Sequence, residues 1–587
     1  MSTYTAPVSD YLFLLEHVLD YEGELASLPA HREAGLELVR AVLEEGARLA
    51  QEALAPLNRS GDEEGCRWED GRVRTPRGFG QAYSLYREGG WPGLVADPAF
   101  GGQGLPRVVG LILREIVSGA NTAFGTYLGL SQSAYSAISA HGGEALRKRF
   151  LPHLVDGGWM GTMCLTEPHC GSDLGLIRTR AEPAPDGAYR VTGTKIFVTA
   201  GEHDLSDNIV HLVLARLPDA PAGTKGLSLF AVPKLLPGED GEWTLPNMLE
   251  CTGIEHKMGI KASATASLAF NGARGWLVGR ENQGLRAMFT MMNSSRLGVS
   301  VQSVGLAEAA LQAASAYARE RRQGRDAGSA EAPVPIVAHA DVRRNLLTAR
   351  AFVEGARALW LWAGIRLDQQ YAHPDAEHRA RCEGYLALLT PVFKSYFSDR
   401  SFEATNAAMQ VFGGHGYIRE TGVEQYVRDG RIIPLYEGTN GIQALDLVSR
   451  KITGDGGAVV QAFFALVQRE SERMECLRPG FSRALNEALG SLRAATDHVI
   501  ESARTDPHAN GAAGHDYLQL FGLVAMGFAW AKMTCAAHGL RDSGLAGMAQ
   551  SKLDVADFFF SRILPEAGYR HRIVCAGSES IMAPHSF

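Results

Sequence analysis

At 587 residues the chain predicts about three to five structural units and an interior large enough to need no disulfide or metal staple, which excludes a small binding module. Hydrophobic residues at 45% and charged residues at 21% exclude disorder or a collagen-like repeat for the chain as a whole. The 57 Lys and Arg against 65 Asp and Glu leave a net charge of −8 with no dense basic block, so nucleic acid is not an expected partner.

The opening stretch MSTYTAPVSDYLFLLEHVLDYEGE has no basic lead and reaches Asp10 before an apolar core forms. It reads as neither a secretory signal nor a transit peptide and predicts a cytoplasmic protein. Residues 1–157 carry helical periodicity, as in Leu36, Leu38, Val39, Val42, Leu43 and Leu49, and predict an N-terminal helical domain. Within it, GLVADPAFGGQGLPRVVG has too many breakers for a helix interior and leads into a second helical run, Val108 to Ala140. From 158 to 280 the pattern changes to short β-branched runs such as YRVTGTKIFVTAG and NIVHLVLARL, separated by turn-rich pieces. That spacing predicts a small antiparallel barrel or sandwich.

Helical periodicity returns over 281–452 in stretches long enough for an antiparallel bundle. Pro391 either starts a helix behind Thr390 or kinks one, and Gly413-Gly414 closes the last stretch. Residues 453–587 predict a fourth, all-helical domain. Its Leu518–Trp530 run is shorter than the ~18 apolar residues of a membrane span and reads as a buried helix. Arg and Lys in this tail interleave with Asp and Glu, so packing against the bundle is expected and stable membrane insertion is not. The eight Cys, at 66, 164, 170, 251, 382, 476, 535 and 575, show no CxxC pair and no zinc spacing, so free thiols and no metal are expected.

The chain has no GxSxG, HExxH or GxxxxGK[ST] and no GxGxxG at a strand-to-helix turn, which disfavours hydrolase, zinc-protease and Walker ATPase chemistry. Three oddly composed segments remain: CLTEPHCGSD at 164–173, MQVFGGHGY at 409–417 and IPLYEGTNGIQAL at 433–445. In the third, Glu437 follows Ile432, Ile433, Pro434, Leu435 and Tyr436 and precedes Gly438. Such neighbours would strip water from the carboxyl and raise its pKa, as a general base near neutral pH needs. The plainer reading is a loop carboxylate capping the helix that begins near Gly441. In the first segment, Thr166, Ser172 and Asp173 around Gly171 suit a ligand with carbonyls and phosphates, or else form an ordinary Asx or ST turn. The double Gly of the second is, by itself, a helix C-cap.

Taken together and in this order, TEPHCGSD, GTKIFVTAG, GGHGY and YEGTNGIQ, spread over residues 40–450, resemble the acyl-CoA dehydrogenases, flavoenzymes that introduce a trans double bond between the α and β carbons of acyl-CoA thioesters. The resemblance implies a mainly α fold with a β insert: an N-terminal helical domain, a central antiparallel β-barrel and a helical bundle, here with an extra C-terminal helical domain. It implies FAD as cofactor, an acyl-CoA substrate, and Glu437 as the base that takes the α-proton while hydride leaves the β carbon for flavin N5. The flavin ribityl hydroxyl and Glu437's own N–H would polarise the thioester carbonyl. Implied flavin contacts are Leu165, Thr166, Gly171, Ser172, Phe197 (where many members have Trp), Thr199 and Thr439. Arg321 matches the Arg that reaches the FAD pyrophosphate of a neighbouring subunit, and Gln410, Gly413 and Gly414 match residues over the adenosine portion, so at least a homodimer is implied. Ser172, Arg296, Tyr436 and Gly438 are implied substrate contacts. The chain departs from the pattern at Gly441, where many members have Gln, and in RRQGR, shorter than the usual RxxFG; Gly441 is therefore outside the expected site.

The tail and the APVSDYLFLLEHVLDYE stretch are most similar to the larger bacterial 3-methylmercaptopropionyl-CoA dehydrogenase-like group. That similarity implies a fatty acyl-CoA or 3-methylmercaptopropionyl-CoA substrate, an electron-transferring flavoprotein as acceptor, and a place in β-oxidation-type fatty acid metabolism. Two relatives offer alternatives. An acyl-CoA oxidase would hand electrons to O₂, and is disfavoured by length and by the ordinary YEGTNGIQ context. A non-catalytic, nucleic-acid-associated relative would need a basic face on the tail, which the charges do not supply.

Overall fold

The computed structural model describes residues 4–326, 332–454 and 456–583. The backbone gathers into two compact units, Glu45–Gly298, and Met1–Glu44 together with Val299–Phe587.

In the unit Glu45–Gly298, the helical run expected from Val108 to Ala140 is two helices, Arg107–Ala120 and Thr122–His141. Asn121 divides them: its backbone is extended, and its Oδ1 accepts the Phe124 N–H at 3.0 Å, an N-cap for the second helix. The β insert closes on itself. Thr265–Val278 pairs with Tyr189–Thr199 and with Leu227–Pro233; Leu227–Pro233 continues to Asn208–Arg216, which meets Arg180–Pro183, and that strand returns to Tyr189–Thr199. The closed ring is a barrel, and its sheet is not wholly antiparallel as expected. Trp159–Cys164 runs parallel to Asn208–Arg216, from Trp159 opposite Asn208 to Cys164 opposite Val213. The chain between these two strands is long enough to hold a hairpin of its own, as a parallel crossover requires.

Asn208–Arg216 is buried on both faces. Leu212 and Leu214 join a cluster with Ile138, Phe150 and Met288, while Val213 and Ala215 join Val191, Phe230 and Leu268 inside the barrel. Its sequence NIVHLVLAR therefore has no polar alternation. His211 lies in this dry setting, and burial, with Lys234 nearby, drives its pKa down to about 3; His203 is driven down to about 3 for the same reasons.

In the other unit, Ala340–Ala372 lies against Ala376–Val411, and Ala509–Gly539 packs on both. Small residues set the spacing: a Cβ on Gly522 would fall 2.3 Å from the Tyr396 ring, and one on Gly355 would fall 2.6 Å from Trp530 Nε1. The buried Trp530 donates to Ala351 O at 3.2 Å. Ala376–Val411 continues through Pro391, so this residue does not start a helix, and Thr390 donates back to Leu386 O at 2.6 Å instead of capping one. Buried packing around Pro391 outweighs the ~3 kcal/mol that an interior proline costs. The Leu518–Trp530 run sits inside a 31-residue helix, longer than expected and, by length and composition, able to cross a membrane. Of its most apolar window, 83% is buried within the chain, as in a core helix.

The first residues join this unit through buried charges. Arg357, 1% exposed, reaches Asp10 at 2.7 Å and Glu308 at 2.8 Å, while Lys552 pairs with Asp10 and lies 3.0 Å from Glu354. Burial opposes ionisation of Asp10, but Lys552 and Arg357 outweigh it and hold its carboxyl below the usual range.

Candidate active site

In the unit Glu45–Gly298, the Trp159–Cys164 strand ends at the TEPHCGSD turn, and one side chain pins that turn. Glu167 Oε1 accepts from Lys195 Nζ at 2.8 Å, from Thr179 Oγ1 at 2.6 Å and from the Thr179 N–H at 3.0 Å, while Oε2 accepts from the Arg178 N–H at 2.8 Å. Fully buried Lys195 also donates to Leu165 O at 3.0 Å. Burial would raise the pKa of Glu167, yet the Lys195 ammonium and the donated hydrogen bonds prevail and lower it. The Ile196 N–H donates to Thr166 O at 2.9 Å, which closes the junction of the TEP and GTK motifs. Neither Glu167 nor Lys195 was among the expected site residues; the signal was an acid and a base in neighbouring motifs. The ligand atoms of Glu167, His169 and Cys170 lie within 4.8 Å of one another, but the Glu167 oxygens already serve Lys195, Thr179 and Arg178.

This anchor presents the expected flavin residues in graded fashion. Leu165 is buried, Thr166 and Thr199 are half-buried, and Gly171 and Ser172 are exposed. Asp173 forms the Asx turn, accepting the Gly175 N–H at 3.0 Å. Phe197 has φ +56° and is 59% exposed. A left-handed backbone under a bulky residue costs of order 1–3 kcal/mol, and such strain concentrates at ligand sites. It persists here because Lys195 on one side and the Thr199–Thr265 pairing on the other fix the strand. An exposed ring held this way, on the strand whose Ile196 N–H meets Thr166 O, fits a flat heteroaromatic ligand, as a flavin is. Arg296 is buried on the Gly284–Glu320 helix, next to Ser295, which donates to Ser133 Oγ at 3.0 Å.

In the other unit the remaining expected residues fall into two groups. Tyr317 stacks on Phe412 with ring centroids 4.2 Å apart, which brings the end of the Gly284–Glu320 helix, and so Arg321, to the turn after Ala376–Val411. Gly413 at φ +59° is the C-cap glycine expected there, and neither Gly413 nor Gly414 would place a Cβ within 4 Å of another residue. Arg321, Gln410, Gly413 and Gly414 are all exposed, an open surface that can receive a ligand. Tyr317 and Phe412, which gather this group, were not foreseen.

Tyr436, Glu437, Gly438 and Thr439 form the second group, on a short loop closed by the Asn440 N–H donating to Pro434 O at 3.1 Å. Glu437 does not cap the following helix, Asn440–Asp446; Thr439 does, its Oγ1 accepting the Ile442 N–H at 3.4 Å. The carboxyl is also wetter than the sequence implied. Glu437 is half-buried and Leu435 is 50% exposed, because residues 432–436 form turns that send Leu435 to solvent.

Four family profiles match the chain in succession: acyl-CoA dehydrogenase N-terminal domain over 37–158, middle domain over 162–273 and C-terminal domain over 282–452, then acetyl-CoA dehydrogenase C-terminal like over 458–585. The chain is 43% identical to 3-methylmercaptopropionyl-CoA dehydrogenase of Ruegeria pomeroyi, over 99% of both chains. The chain belongs to the acyl-CoA dehydrogenase family. It is also 33% identical to a broad-specificity linear acyl-CoA dehydrogenase of Mycobacterium tuberculosis, over 96% of each chain. Among solved structures it shares the fold of an FAD-complexed acyl-CoA dehydrogenase of Bacillus anthracis, with a TM-score of 0.74, 19% identity, and coverage of 94% of this chain and 90% of that one. Members of this family are flavin-dependent oxidoreductases acting on acyl-CoA thioesters.

Proposed function

We propose that this acyl-CoA dehydrogenase oxidises short linear acyl-CoA thioesters, 3-methylmercaptopropionyl-CoA among them, to trans-2-enoyl-CoA, with Glu437 as the base. The observation that carries the reading is the intact YEGT segment, which holds a half-exposed carboxylate on a closed loop between Pro434 and Asn440. FAD supplies, when bound, the acceptor for the hydride that leaves the β carbon. Leu165, Thr166, Ser172, Phe197 and Thr199 would hold its ring system, with Gly171 giving room. Glu437 takes the α-proton on its carboxylate, and its N–H donates to the thioester oxygen, so negative charge arising there meets a fixed donor. The bound acyl group completes the drying of the carboxyl that the chain alone leaves half wet.

Whole-length identity of 43% with the Ruegeria enzyme supports the substrate class. The open Arg321, Gln410, Gly413 and Gly414 surface supports a homodimer whose neighbour's FAD lies over it. An electron-transferring flavoprotein receives the electrons, and eight free thiols support a reducing, cytoplasmic setting. Anaerobic titration with acyl-CoAs from butyryl to palmitoyl plus 3-methylmercaptopropionyl tests the reading by flavin absorbance. Bleaching strongest with the short linear and 3-methylmercaptopropionyl thioesters is expected, and a yellow protein that none of them bleaches would overturn it.

A further inference from the structure

The base loop is tied to the C-terminal extension by a relay of polar side chains, in which Lys394, Ser398 and Gln519 are buried and Asp399 and Asn440 half-buried. Asn440, the residue that closes the loop, donates through Nδ2 to Asp399 Oδ1 at 2.7 Å and to Ser398 Oγ at 2.9 Å, and its Oδ1 accepts from Lys394 Nζ at 3.0 Å. Lys394 is fully buried and its ammonium lies 5.7 Å from the centre of the Tyr436 ring, so one cation touches both ends of the segment carrying Glu437. The other oxygen of Asp399 accepts from Gln519 Nε2 at 2.8 Å. Gln519 is 2% exposed on the Ala509–Gly539 helix, deep in the extension. That helix also approaches the helix after the loop closely: a Cβ on Gly514 would fall 3.5 Å from Ala444.

Asp399 is costly in this place. Burial raises its pKa, and the hydrogen bonds from Asn440 and Gln519 and the nearby His515 only partly offset that. A carboxylate used solely to glue two helices could be replaced by well-packed apolar side chains without loss. This one spends each oxygen on a different side-chain amide, and one of those amides belongs to Asn440, whose backbone N–H closes the loop of the base. We propose that Asp399 and Gln519 are positioning residues for Glu437: the extension, through Gln519, Asp399 and Asn440, fixes the loop that presents the carboxylate to the α carbon. This inference rests on the reading of Glu437 as the base.

The test uses the full-length, FAD-loaded protein. Limiting rate of anaerobic flavin reduction, half-saturation by butyryl-CoA, melting temperature and amide hydrogen exchange over 434–440 are measured for Asp399→Ala, Asp399→Asn and Gln519→Leu. A base misplaced by a fraction of an ångström loses rate, not binding, so Asp399→Ala is expected to slow reduction about 10-fold or more, with half-saturation within about twofold of wild type. Exchange of the loop amides should quicken in the same variant. Asp399→Asn should restore rate and protection, because the amide oxygen still accepts from Asn440 and the amide NH2 can donate to Gln519 Oε1 once the Gln519 amide is turned. Gln519→Leu leaves the Asp399–Asn440 bond in place and should show the same split at about threefold; it decides the matter if Asp399→Ala does not fold. Wild-type rate and loop protection in Asp399→Ala or Gln519→Leu, with a lowered melting temperature alone, would overturn the inference and leave the base assignment standing. A wild-type protein whose flavin no acyl-CoA reduces would overturn the base assignment and this inference with it.

Discussion

The two motif loops are held by opposite means. The TEPHCGSD turn is pinned by a buried ion pair, Glu167 with Lys195, whose partners both lie inside the TEPHCGSD and GTKIFVTAG motifs. The YEGTN loop is pinned by an amide relay, Asn440 to Asp399 to Gln519, whose far end lies 120 positions from Asp399. A full charge pair gives rigidity at the risk of a large loss when one member is removed. A relay of amides around one carboxylate gives finer adjustment and a smaller loss per bond.

The contrast breaks most visibly at Lys195. Lys195→Met leaves Glu167 buried without its cation and is expected to destabilise the unit Glu45–Gly298 by about 3–5 kcal/mol, read in chemical denaturation, and to release FAD. Wild-type stability there would show that the pair is not what holds the turn.

A second effect sharpens the same unit. His203 and His211 have folded pKa values of about 3, below the ~6.5 of an unfolded histidine, so the unfolded chain binds protons that the folded one refuses. Stability therefore falls as pH drops below about 6.5 and continues to fall toward 3. Between pH 7 and pH 5 each histidine should cost about 2 kcal/mol, and His211→Leu should remove its share of that slope in urea titrations at the two pH values. An unchanged slope in the variant would contradict the burial account.

The smallest effect is at Phe197. Phe197→Gly relieves the left-handed backbone at φ +56° and should stabilise the apoprotein by about 1 kcal/mol while weakening FAD binding. Loss of both stability and FAD would mean that the ring serves the core instead of the ligand.

These contrasts also explain what could be read from the sequence. Strands such as Asn208–Arg216 and helices such as Leu36–Leu49 announce themselves because burial and periodicity are local properties. The four motif segments located the candidate site for the same reason: each is a contiguous run of unusual composition. What escaped notice depends on long-range pairing. Asp10 meets Lys552 across 542 positions, and nothing in either neighbourhood indicates the other. Asn121 went unseen because one polar residue in a long apolar run looks like a surface position until its extended backbone and cap are visible. Pro391 was ambiguous because the local cost of an interior proline is real, and only the packing around it decides. The dryness expected at Glu437 was read from neighbours in sequence, whereas Leu435 turns outward in space.

Glu437 is proposed as the base. Glu437→Gln keeps the shape of the loop and removes the proton acceptor, so the decisive measurement is stopped-flow flavin reduction of this variant by saturating acyl-CoA under anaerobic conditions. The account predicts retained FAD and acyl-CoA binding with a limiting rate lowered by about a thousandfold or more. Reduction at close to the wild-type rate would place the base on another residue and contradict the account.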